Sequence, residues 1–291
     1  MCLQYIKNPN PETMHLRIGN TVITKTRNTK RKTNTYEIRN DVCPHLMKSV
    51  AAVIGTSNST SNSNSNNAKT TLVEARDVMT LKEYLQRSNH VTELYAALCL
   101  LRDLGRQMQA LLSGGHGIAC FSVDDVVVIA HRESDAFTHS DPASTHSEHS
   151  DPQFLFLNDR LIFEVDESDG TLLIDRALNL NANTKNAFVA PELAAEQDQE
   201  QEQEQEQEQE QEQEQEQDQE RVHFKTAYHS AAQLLIYFLL GPKSESDKQG
   251  IIRDSMSLNG MSLNPIKGTK LYWFLLRCLN RVPSDRSYVY V

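Results

Sequence analysis

The stretch AFVAPEL, from Ala187 to Leu193, decides how this chain is interpreted. Its first residues are apolar and strand-like, and they lead into the pair Pro191-Glu192. A long run of alternating Gln and Glu begins at Glu196 and offers no apolar surface for a core. The Ala-Pro-Glu sequence therefore marks the end of a folded region, and the segments around it must explain why it stands there.

Length and composition allow one sizeable core or two lobes, because the chain has 291 residues of which 38% are hydrophobic. The formal net charge of −10 comes largely from the Gln-Glu tract, so it indicates no partner for the folded part. The basic stretch KTRNTKRK, residues 25–32, lacks interleaved aromatic residues. We interpret it as a solvated turn between strands and expect no nucleic-acid partner.

Other features predict a soluble intracellular protein. The five cysteines are widely spaced, without a pair at metal-site spacing, which fits a reducing compartment. The N-terminal residues lack the apolar core of a signal peptide. The longest apolar run, AAQLLIYFLLG, is too short to span a bilayer, so we expect no membrane partner.

Three tracts have compositions typical of surface insertions rather than of a fold. Residues 56–67 are Thr, Ser and Asn, and we expect them to form a disordered loop. Residues 131–153 are rich in His, Ser and Asp, and residues 194–220 are largely Gln and Glu. Long insertions in surface loops cost little conformational entropy, so a fold tolerates them.

The segments between these tracts predict an α+β fold with two lobes. Basic strands come first, followed by a helix over residues 36–47, a strand over 49–55 and a strand at TTLVEA. Helices are predicted at TLKEYLQR and over residues 91–112, and short strands at DVVVIA, FLFLN, LIFEVD and TLLID. The last part is helical, at AYHSAAQLLIYFLLG and TKLYWFLLRCLNR. This order lacks the repeated βαβ units of a parallel sheet.

The order resembles the protein kinase fold. TTLVEARDVMTLKEYL is similar to the last small-lobe strand, the hinge and the first large-lobe helix of kinases. AFVAPEL is similar to the end of the activation segment, and AYHSAAQLLIYFLLG and FLLRCLNRVPSDR are similar to later large-lobe helices. Together with FSVDDVVVI, these stretches resemble the divergent kinase-like proteins of large DNA viruses. The resemblance implies a bilobal fold with a reduced β-rich N-lobe over residues 1–75 and a helical C-lobe over residues 76–291.

The resemblance also implies a role for the Ala-Pro-Glu motif. In kinases its glutamate pairs with an arginine inside the large lobe, and the candidates here are Glu192 and Arg286. An Arg–carboxylate pair of this kind is planar and geometrically demanding. Removing one partner would leave an uncompensated buried charge, so the motif can persist for architecture without catalysis.

The expected nucleotide contacts are incomplete. Lys25, at the end of VITK, is the candidate for the lysine that meets the α- and β-phosphates, with Glu37 as its ion-pair partner on a helix. Glu74 and Arg76 would flank the hinge backbone that meets an adenine ring. The glycine-rich phosphate loop is missing, because Gly19 is the lone glycine in the corresponding segment.

The catalytic loop of the resemblance is degraded. Cys120, Phe121 and Ser122 stand where a kinase has His-Arg-Asp, and a serine hydroxyl is no proton acceptor at neutral pH. Asp124 would serve as a base only after a backbone shift. Asp125 would take the metal-binding asparagine position if the loop is shortened.

One further carboxylate completes the implied metal site. Asp175 follows the predicted strand TLLID and stands where the kinase magnesium ligand is expected, with Asn158 and Asp159 as the weaker alternative. A single carboxylate there would hold one magnesium ion, and Asp125 would be the second candidate ligand.

The resemblance therefore implies a catalytically impaired kinase-like domain, a pseudokinase that acts as an interaction or regulatory module with a protein partner. One alternative is an active, divergent Ser/Thr protein kinase that uses ATP and Mg²⁺. A second is a non-catalytic C-lobe scaffold that binds no nucleotide. If the protein is viral, we expect it in the host cytoplasm or nucleus.

Overall fold

A computed structural model describes residues 6–7, 14–28, 33–55, 70–87, 94–130, 151–175, 187–193, 219–240 and 266–289. Within these ranges the chain is α+β, with several small antiparallel sheets, as the sequence predicts at this coarse level. Residues 56–67, predicted to be a disordered loop, lie outside the described residues. No helix in the described ranges is both long and apolar enough to cross a membrane.

Fourteen strands and five α-helices make up the described part of the chain. The strands are β1 (Ile6–Lys7), β2 (Met14–Ile18), β3 (Thr21–Asn28), β4 (Thr33–Arg39), β5 (Thr70–Ala75), β6 (Asp77–Thr80), β7 (His116–Ile118), β8 (Phe121–Ser122), β9 (Val126–Ala130), β10 (Gln153–Phe156), β11 (Ile162–Asp166), β12 (Thr171–Asp175), β13 (Ala187–Phe188) and β14 (Gln219–His223). The helices are α1 (Pro44–Ile54), α2 (Leu81–Arg87), α3 (Leu94–Leu112), α4 (Thr226–Leu240) and α5 (Lys270–Cys278).

The chain divides into two compact units. The N-terminal unit comprises Cys2–Ala110 and Asp124–Arg160, and the C-terminal unit comprises Leu111–Val123 and Leu161–Val291. The lobe boundary expected between residues 75 and 76 falls inside the N-terminal unit, and the division into kinase-like lobes stays a prediction.

The N-terminal unit contains two antiparallel sheets. One has five strands in chain order, from β1 to β5, and the other has the order β10-β9-β6. Strand β4 shows why these residues form a sheet. Along the strand, half-exposed and buried residues alternate: Thr35 and Glu37 are half-exposed, and Tyr36 and Ile38 are buried. That alternation is the period of two residues that gives a strand one buried face.

The helix predicted over residues 36–47 is wrong, because residues up to Arg39 belong to β4. The chain leaves the strand at Asn40, whose Oδ1 accepts hydrogen bonds from the backbone N–H groups of Val42 at 2.9 Å and Cys43 at 2.7 Å. This turn positions Pro44 at the first turn of α1, where a missing backbone N–H costs nothing.

The strand predicted over residues 49–55 is also wrong. Those residues are the second half of α1, which runs to Ile54 and ends at Gly55 with a positive φ of 80°. The apolar run SVAAVI is short enough to suit either structure, and its buried positions, Ser49, Val50, Val53 and Ile54, follow helical spacing.

Side chains of α3 satisfy the outer edge of strand β10, which lies at the end of its sheet. The Phe156 backbone N–H donates to Gln107 Oε1 at 2.7 Å, and Gln107 Nε2 donates to the Phe156 carbonyl at 3.1 Å. The Phe154 N–H donates to Asp103 Oδ2 at 3.1 Å. Both helix side chains are fully buried. These side chains bond the backbone groups that a neighbouring strand would otherwise pair. Leaving those groups unpaired in the interior would cost free energy.

The C-terminal unit contains a four-stranded antiparallel sheet in the order β14-β12-β11-β7, and a two-stranded pair of β8 with β13. A core cluster fills one face of the larger sheet; its buried members are Ala119, Phe163, Leu172, Ile174, Leu193 and Val222. Helix α4 packs on β8 and β13, and α5 packs on α4.

Two of the predicted insertions are shorter than the sequence suggests. The tract predicted over residues 194–220 ends before Gln219, because Gln219 and Glu220 pair with Asp175 and Ile174 in the sheet. The insertion predicted over 131–153 ends before Asp151, which accepts a hydrogen bond from Arg102 at 3.4 Å. Residues 131–150 and 194–218 lie outside the described residues.

The edge of β10 gives a stability prediction. We expect Gln107→Leu to lower the free energy of unfolding by about 1–3 kcal/mol, because the substitution leaves a buried N–H and a buried carbonyl of Phe156 without partners. Urea denaturation of the purified protein measures the loss. The matched control is Gln109→Leu, an exposed position on the same helix. Equal stability of the two variants would contradict the role assigned to Gln107.

Candidate functional site

The ion pair expected between Glu192 and Arg286 is present in the C-terminal unit. Arg286 Nη2 donates to Glu192 Oε2 at 2.8 Å, and Arg286 Nη1 donates to Glu192 Oε1. The guanidinium is fully buried, and its Nε donates to the Asn280 carbonyl at 2.7 Å. Burial alone would raise the pKa of the Glu192 carboxyl, but the hydrogen bonds and charge of Arg286 outweigh burial and lower that pKa. The pair is therefore ionised and bidentate.

A buried histidine lies in the electrostatic field of this pair. His229, on α4, is only 3% exposed, and its Nδ1 atom has no hydrogen-bond partner among the described residues. Burial first, and then the positive charge of Arg286, lower the pKa of His229 to about 4. The imidazole is therefore neutral at neutral pH, which avoids a second cation beside the guanidinium.

The stretch that resembles a catalytic loop is structural in the C-terminal unit. Cys120, Phe121 and Ser122 are all buried. Ser122 lies opposite Ala187 in the β8–β13 pair, and the Phe121 backbone N–H donates to Ser230 Oγ at 2.7 Å. Ser122 is 5% exposed in this strand pair, and a serine hydroxyl is no proton acceptor at neutral pH.

In the N-terminal unit, the turn between β2 and β3 binds an internal carboxylate. The Asn20 backbone N–H donates to Asp159 Oδ1, and Asn20 Nδ2 donates to Asp159 Oδ2, both at 2.9 Å. Asp159 is 9% exposed and lies in a 3-10 turn after β10. This is the turn that holds the lone Gly19, where the resemblance places the phosphate loop. Asp159 supplies the anion to which the turn's N–H groups donate.

The geometry of this turn requires glycine at position 19. Gly19 has a φ of +58°, and a Cβ atom built there would lie 2.5 Å from Asp159 Oδ1. Residues other than glycine rarely adopt that backbone conformation, and a distance of 2.5 Å from a Cβ atom to Asp159 Oδ1 is shorter than real Cβ contacts. The glycine thus serves the internal carboxylate contact.

Strand β4 presents Tyr36 and Ile38 on its buried face, exposed by 3% and 0%. The partner positions on β3 are Lys25 opposite Tyr36 and Thr24 opposite Glu37. Lys25 and Glu37 therefore lie on opposite faces of the sheet. The expectation that Glu37 sits on a helix and pairs with Lys25 is wrong, because residues 33–39 form a strand. Lys25 Nζ lies instead 5.5 Å from the centre of the Tyr36 ring, in a cation–π arrangement.

The backbone at the expected hinge is already hydrogen-bonded within the N-terminal unit. The Arg76 N–H donates to the Ala130 carbonyl at 3.0 Å, and the Arg76 carbonyl accepts from Asn34 Nδ2 at 2.8 Å. Glu74 is exposed on β5, opposite Thr35. The Arg76 groups that would meet an adenine ring are therefore engaged by protein atoms.

A small pocket opens beside β3 and β4 in the same unit. Its volume is about 110 Å³, and its lining includes Lys25, Tyr36, Asp77 and Arg87. The charges within it are balanced, since Arg87 Nη1 lies 2.7 Å from Asp77 Oδ2. Burial first, and then the Asp77 charge, raise the pKa of Tyr36 to about 12, so the phenol stays protonated. Pockets for drug-sized ligands usually measure roughly 300–1,000 Å³, so this one is small.

The two aspartates proposed as catalytic residues have different surroundings. Asp124 Oδ1 lies 3.7 Å from Lys82 Nζ, a partly exposed ion pair. Asp125 is 7% exposed, and its Oδ1 accepts a hydrogen bond from Asn158 Nδ2 at 2.8 Å. Asp175 is the last residue of β12, in the C-terminal unit, and its side chain lies outside the described part of the chain.

The described carboxylates do not fit a magnesium site. Both oxygens of Asp159 accept hydrogen bonds from Asn20, and one oxygen of Asp125 accepts from Asn158. Among the described residues, no group of three or more His, Cys, Asp or Glu side chains is arranged to hold a metal ion. Magnesium prefers oxygen ligands that are free to coordinate it, and amide donors occupy three of the four carboxylate oxygens of Asp125 and Asp159.

Sequence patterns do not reveal the residues that organise these regions. Asn20 and Asp159 are separated by 139 positions, so no local pattern connects them. The kinase resemblance suggests Asp159 only as a weaker metal ligand. Tyr36 has a usable signal, because it stands two positions before Ile38 in a segment with polar residues between them.

No protein-family model matches the chain, and no curated protein matches it.

The buried histidine predicts a pH-dependent stability. An unfolded histidine binds a proton near pH 6.5, whereas folded His229 binds one only near pH 4. Stability is therefore full above about pH 6.5 and is lost as the pH falls toward 4, by up to about 3 kcal/mol. Thermal melts of the wild type and His229→Leu across this range should show a smaller acid loss in the variant. Parallel curves would contradict the prediction.

The β2–β3 turn predicts a difference between two glycine substitutions. Gly19→Ala combines a positive φ with a collision against Asp159, whereas Gly115→Ala has a φ of +73° and meets nothing within 4 Å. We expect Gly115→Ala to cost about 1 kcal/mol and Gly19→Ala to cost more, by about 1–3 kcal/mol. Chemical denaturation of both variants measures the difference. A smaller loss for Gly19→Ala would show that Asp159 does not pack against the turn.

Proposed function

We propose that this chain is a kinase-like pseudokinase domain that binds a protein partner and neither binds nor hydrolyses ATP. The observation that carries the proposal is the engagement of the Gly19-Asn20 turn by Asp159. Under the kinase resemblance, this turn would cover the phosphates of a nucleotide. A phosphate there would have to displace a carboxylate held by two hydrogen bonds and would add negative charge beside it.

A second feature that supports the proposal is the strand before α1. In kinases, the phosphate-binding lysine lies on the strand that precedes this helix, and its glutamate partner lies on the helix. Here β4 directly precedes α1, and its buried face carries Tyr36 and Ile38. Helix α1 has the sequence PHLMKSVAAVI, which contains no acidic residue. Strand β4 contains no lysine and helix α1 contains no glutamate, so these two elements cannot form the lysine–glutamate pair.

The third support comes from the expected hinge. The Arg76 N–H and carbonyl are both engaged within the N-terminal unit, and β6 continues into backbone pairing with β9. An adenine ring would have to compete with these bonds for the same donor and acceptor. Each exchange of one hydrogen bond for another yields little free energy, so the site offers adenine a weak attraction.

The Glu192–Arg286 pair supports the kinase-like half of the proposal. Its geometry is bidentate and buried, which is the arrangement that the resemblance implies for a large-lobe scaffold. A scaffold can keep this pair for stability while its chemical groups are lost, because the pair contributes to folding and not to phosphoryl transfer. The remaining function of such a domain is to present surfaces to a protein partner.

One observation favours a second candidate, a divergent kinase that binds Mg-ATP. Lys25 lines the small pocket of the N-terminal unit, beside Tyr36 and Asp77. An ammonium in that position would attract a phosphate if the Tyr36 ring moved aside. Asp125 and Asp175 would then be the remaining candidates for binding magnesium.

A thermal-shift titration separates the two candidates. We expect the melting temperature of the purified chain to be unchanged by Mg-ATP, Mg-ADP or ATP alone up to millimolar concentration, because ligands raise it only when they bind the folded state. The melting temperature of Lys25→Met should likewise be unchanged by these nucleotides, because under the proposal Lys25 contacts no phosphate.

A saturable shift with Mg-ATP that Lys25→Met abolishes would overturn the proposal. In that case a phosphate-transfer assay with a generic protein substrate, compared between the wild type and Asp175→Ala, distinguishes nucleotide binding from turnover. A catalytically active kinase in the same buffer serves as the positive control for both measurements.

A further inference from the structure

Helix α5 carries the only tryptophan of the chain, with basic residues before and after it. Lys270, Trp273 and Arg277 occupy one side of α5, at spacings of three and four residues that bring side chains into line. All three are exposed, and Trp273 is 57% exposed. Lys267 before the helix and Arg281 after it are also exposed. We call these five residues the basic face.

The cations of the basic face lack carboxylate partners within the described residues. Arg277 donates to the Val289 carbonyl at 2.6 Å, and no described carboxylate lies within ion-pair distance of Lys267, Lys270, Arg277 or Arg281. In the described part of the C-terminal unit, the one other exposed lysine or arginine, Arg221, lies near the carboxylates of Asp166 and Asp169. The basic face therefore has the charge of a binding surface for an anionic segment.

The chain itself supplies such a segment. Residues 194–218, which lie outside the described residues, contain twelve acidic residues and no lysine or arginine. The remaining chain has 29 basic and 27 acidic residues, so nearly all the charge imbalance of the protein is in this tract. Its two ends, Leu193 and Gln219, both belong to the C-terminal unit that contains α5.

The other long undescribed segment of this unit is a weaker candidate. Residues 241–265 lead directly to α5, but they contain three acidic and three basic residues. Their net charge is zero, so they gain little from a cationic surface. Charge complementarity therefore favours the Gln-Glu tract.

We propose that the Gln-Glu tract binds the basic face of α5 within the same chain. Glu and Asp carboxylates contact Lys270, Arg277 and the cations that flank them, and they lie over the exposed face of Trp273. Because both ends of the tract are tethered in one unit, its effective concentration at the surface is in the millimolar range for a flexible connection. Individually weak ion pairs then suffice for binding. The bound tract would compete with any acidic segment of a protein partner for the same surface.

The fluorescence of Trp273 reports on this contact without interference, because the chain has one tryptophan. Iodide is an anionic quencher that a free basic face attracts and a bound acidic tract repels, whereas acrylamide is neutral. The experiment compares the full chain with a variant of equal length in which every Glu and Asp from 196 to 218 is replaced by Gln or Asn. In low salt, we expect the iodide quenching constant of the variant to be about twofold higher or more, with a smaller change for acrylamide.

The control is Lys270→Gln/Arg277→Gln, two exposed positions on α5. In this background, neutralising the tract should change iodide quenching far less, because the tract has lost its binding surface. Raising the salt concentration to about 0.5 M should remove the difference in the wild-type background as well, since the Debye length then falls to a few ångströms.

Equal iodide quenching of the full chain and the tract-neutral variant in low salt would overturn the proposal. A difference that survives in the Lys270→Gln/Arg277→Gln background would also overturn it, because the tract would then act elsewhere. If the α5 variant does not fold, a synthetic Gln-Glu peptide added to the tract-neutral protein replaces it. Saturable, salt-sensitive protection of Trp273 from iodide supports the proposal, and lack of protection overturns it.

Discussion

The C-terminal unit depends on neutralising one fully buried guanidinium. Arg286 is 1% exposed, and such a charge is tolerated in the interior only when every donor has an acceptor. Glu192 supplies the countercharge, and the carbonyl of Asn280 accepts from the third nitrogen. This requirement links Glu192, which precedes the Gln-Glu tract, to the C-terminal segment. Burial first, and then repulsion from the Arg286 charge, keep nearby His229 neutral.

The N-terminal unit satisfies its polar groups in a different way, through side chains that replace external partners. Asn20 binds Asp159, Gln107 completes the edge of β10, and Asn34 reaches the Arg76 carbonyl. Each contact uses a donor or acceptor that a strand, a nucleotide or water would otherwise satisfy. A ligand for these groups would have to exchange equal hydrogen bonds, and such exchanges give little net free energy. These contacts therefore contribute to the stability of the N-terminal unit.

The sequence predicted the features that depend on composition and long periodic segments. The helices α2 to α5 and the strands from β9 to β12 follow from such signals, whereas the Glu192–Arg286 contact was implied only by the kinase resemblance. The predictions for residues 36–39 and 49–54 were wrong because a segment of four to six residues with this mixture of apolar and polar side chains suits a strand or a helix equally. Long-range pairing in the folded chain decides between the two. The contact between Asn20 and Asp159 spans 139 positions, so only the folded chain brings it together. Lys25 and Glu37 are near in sequence, but strand alternation puts them on opposite faces.

The distribution of charge supports a division of roles between interior and surface. In the N-terminal unit, Asp77 in the small pocket is paired with Arg87, and the Asp159 carboxylate accepts hydrogen bonds from Asn20. The electric field of these groups on a ligand is therefore weak. On α5, by contrast, Lys270 and Arg277 have no described carboxylate partners, and the exposed Trp273 lies between them in the sequence. Unpaired surface charge acts at long range and steers association, whereas paired charge acts only on its partner. For the proposed contact with an acidic segment, the exposed cations of α5 therefore act at longer range than the paired charges of the N-terminal pocket.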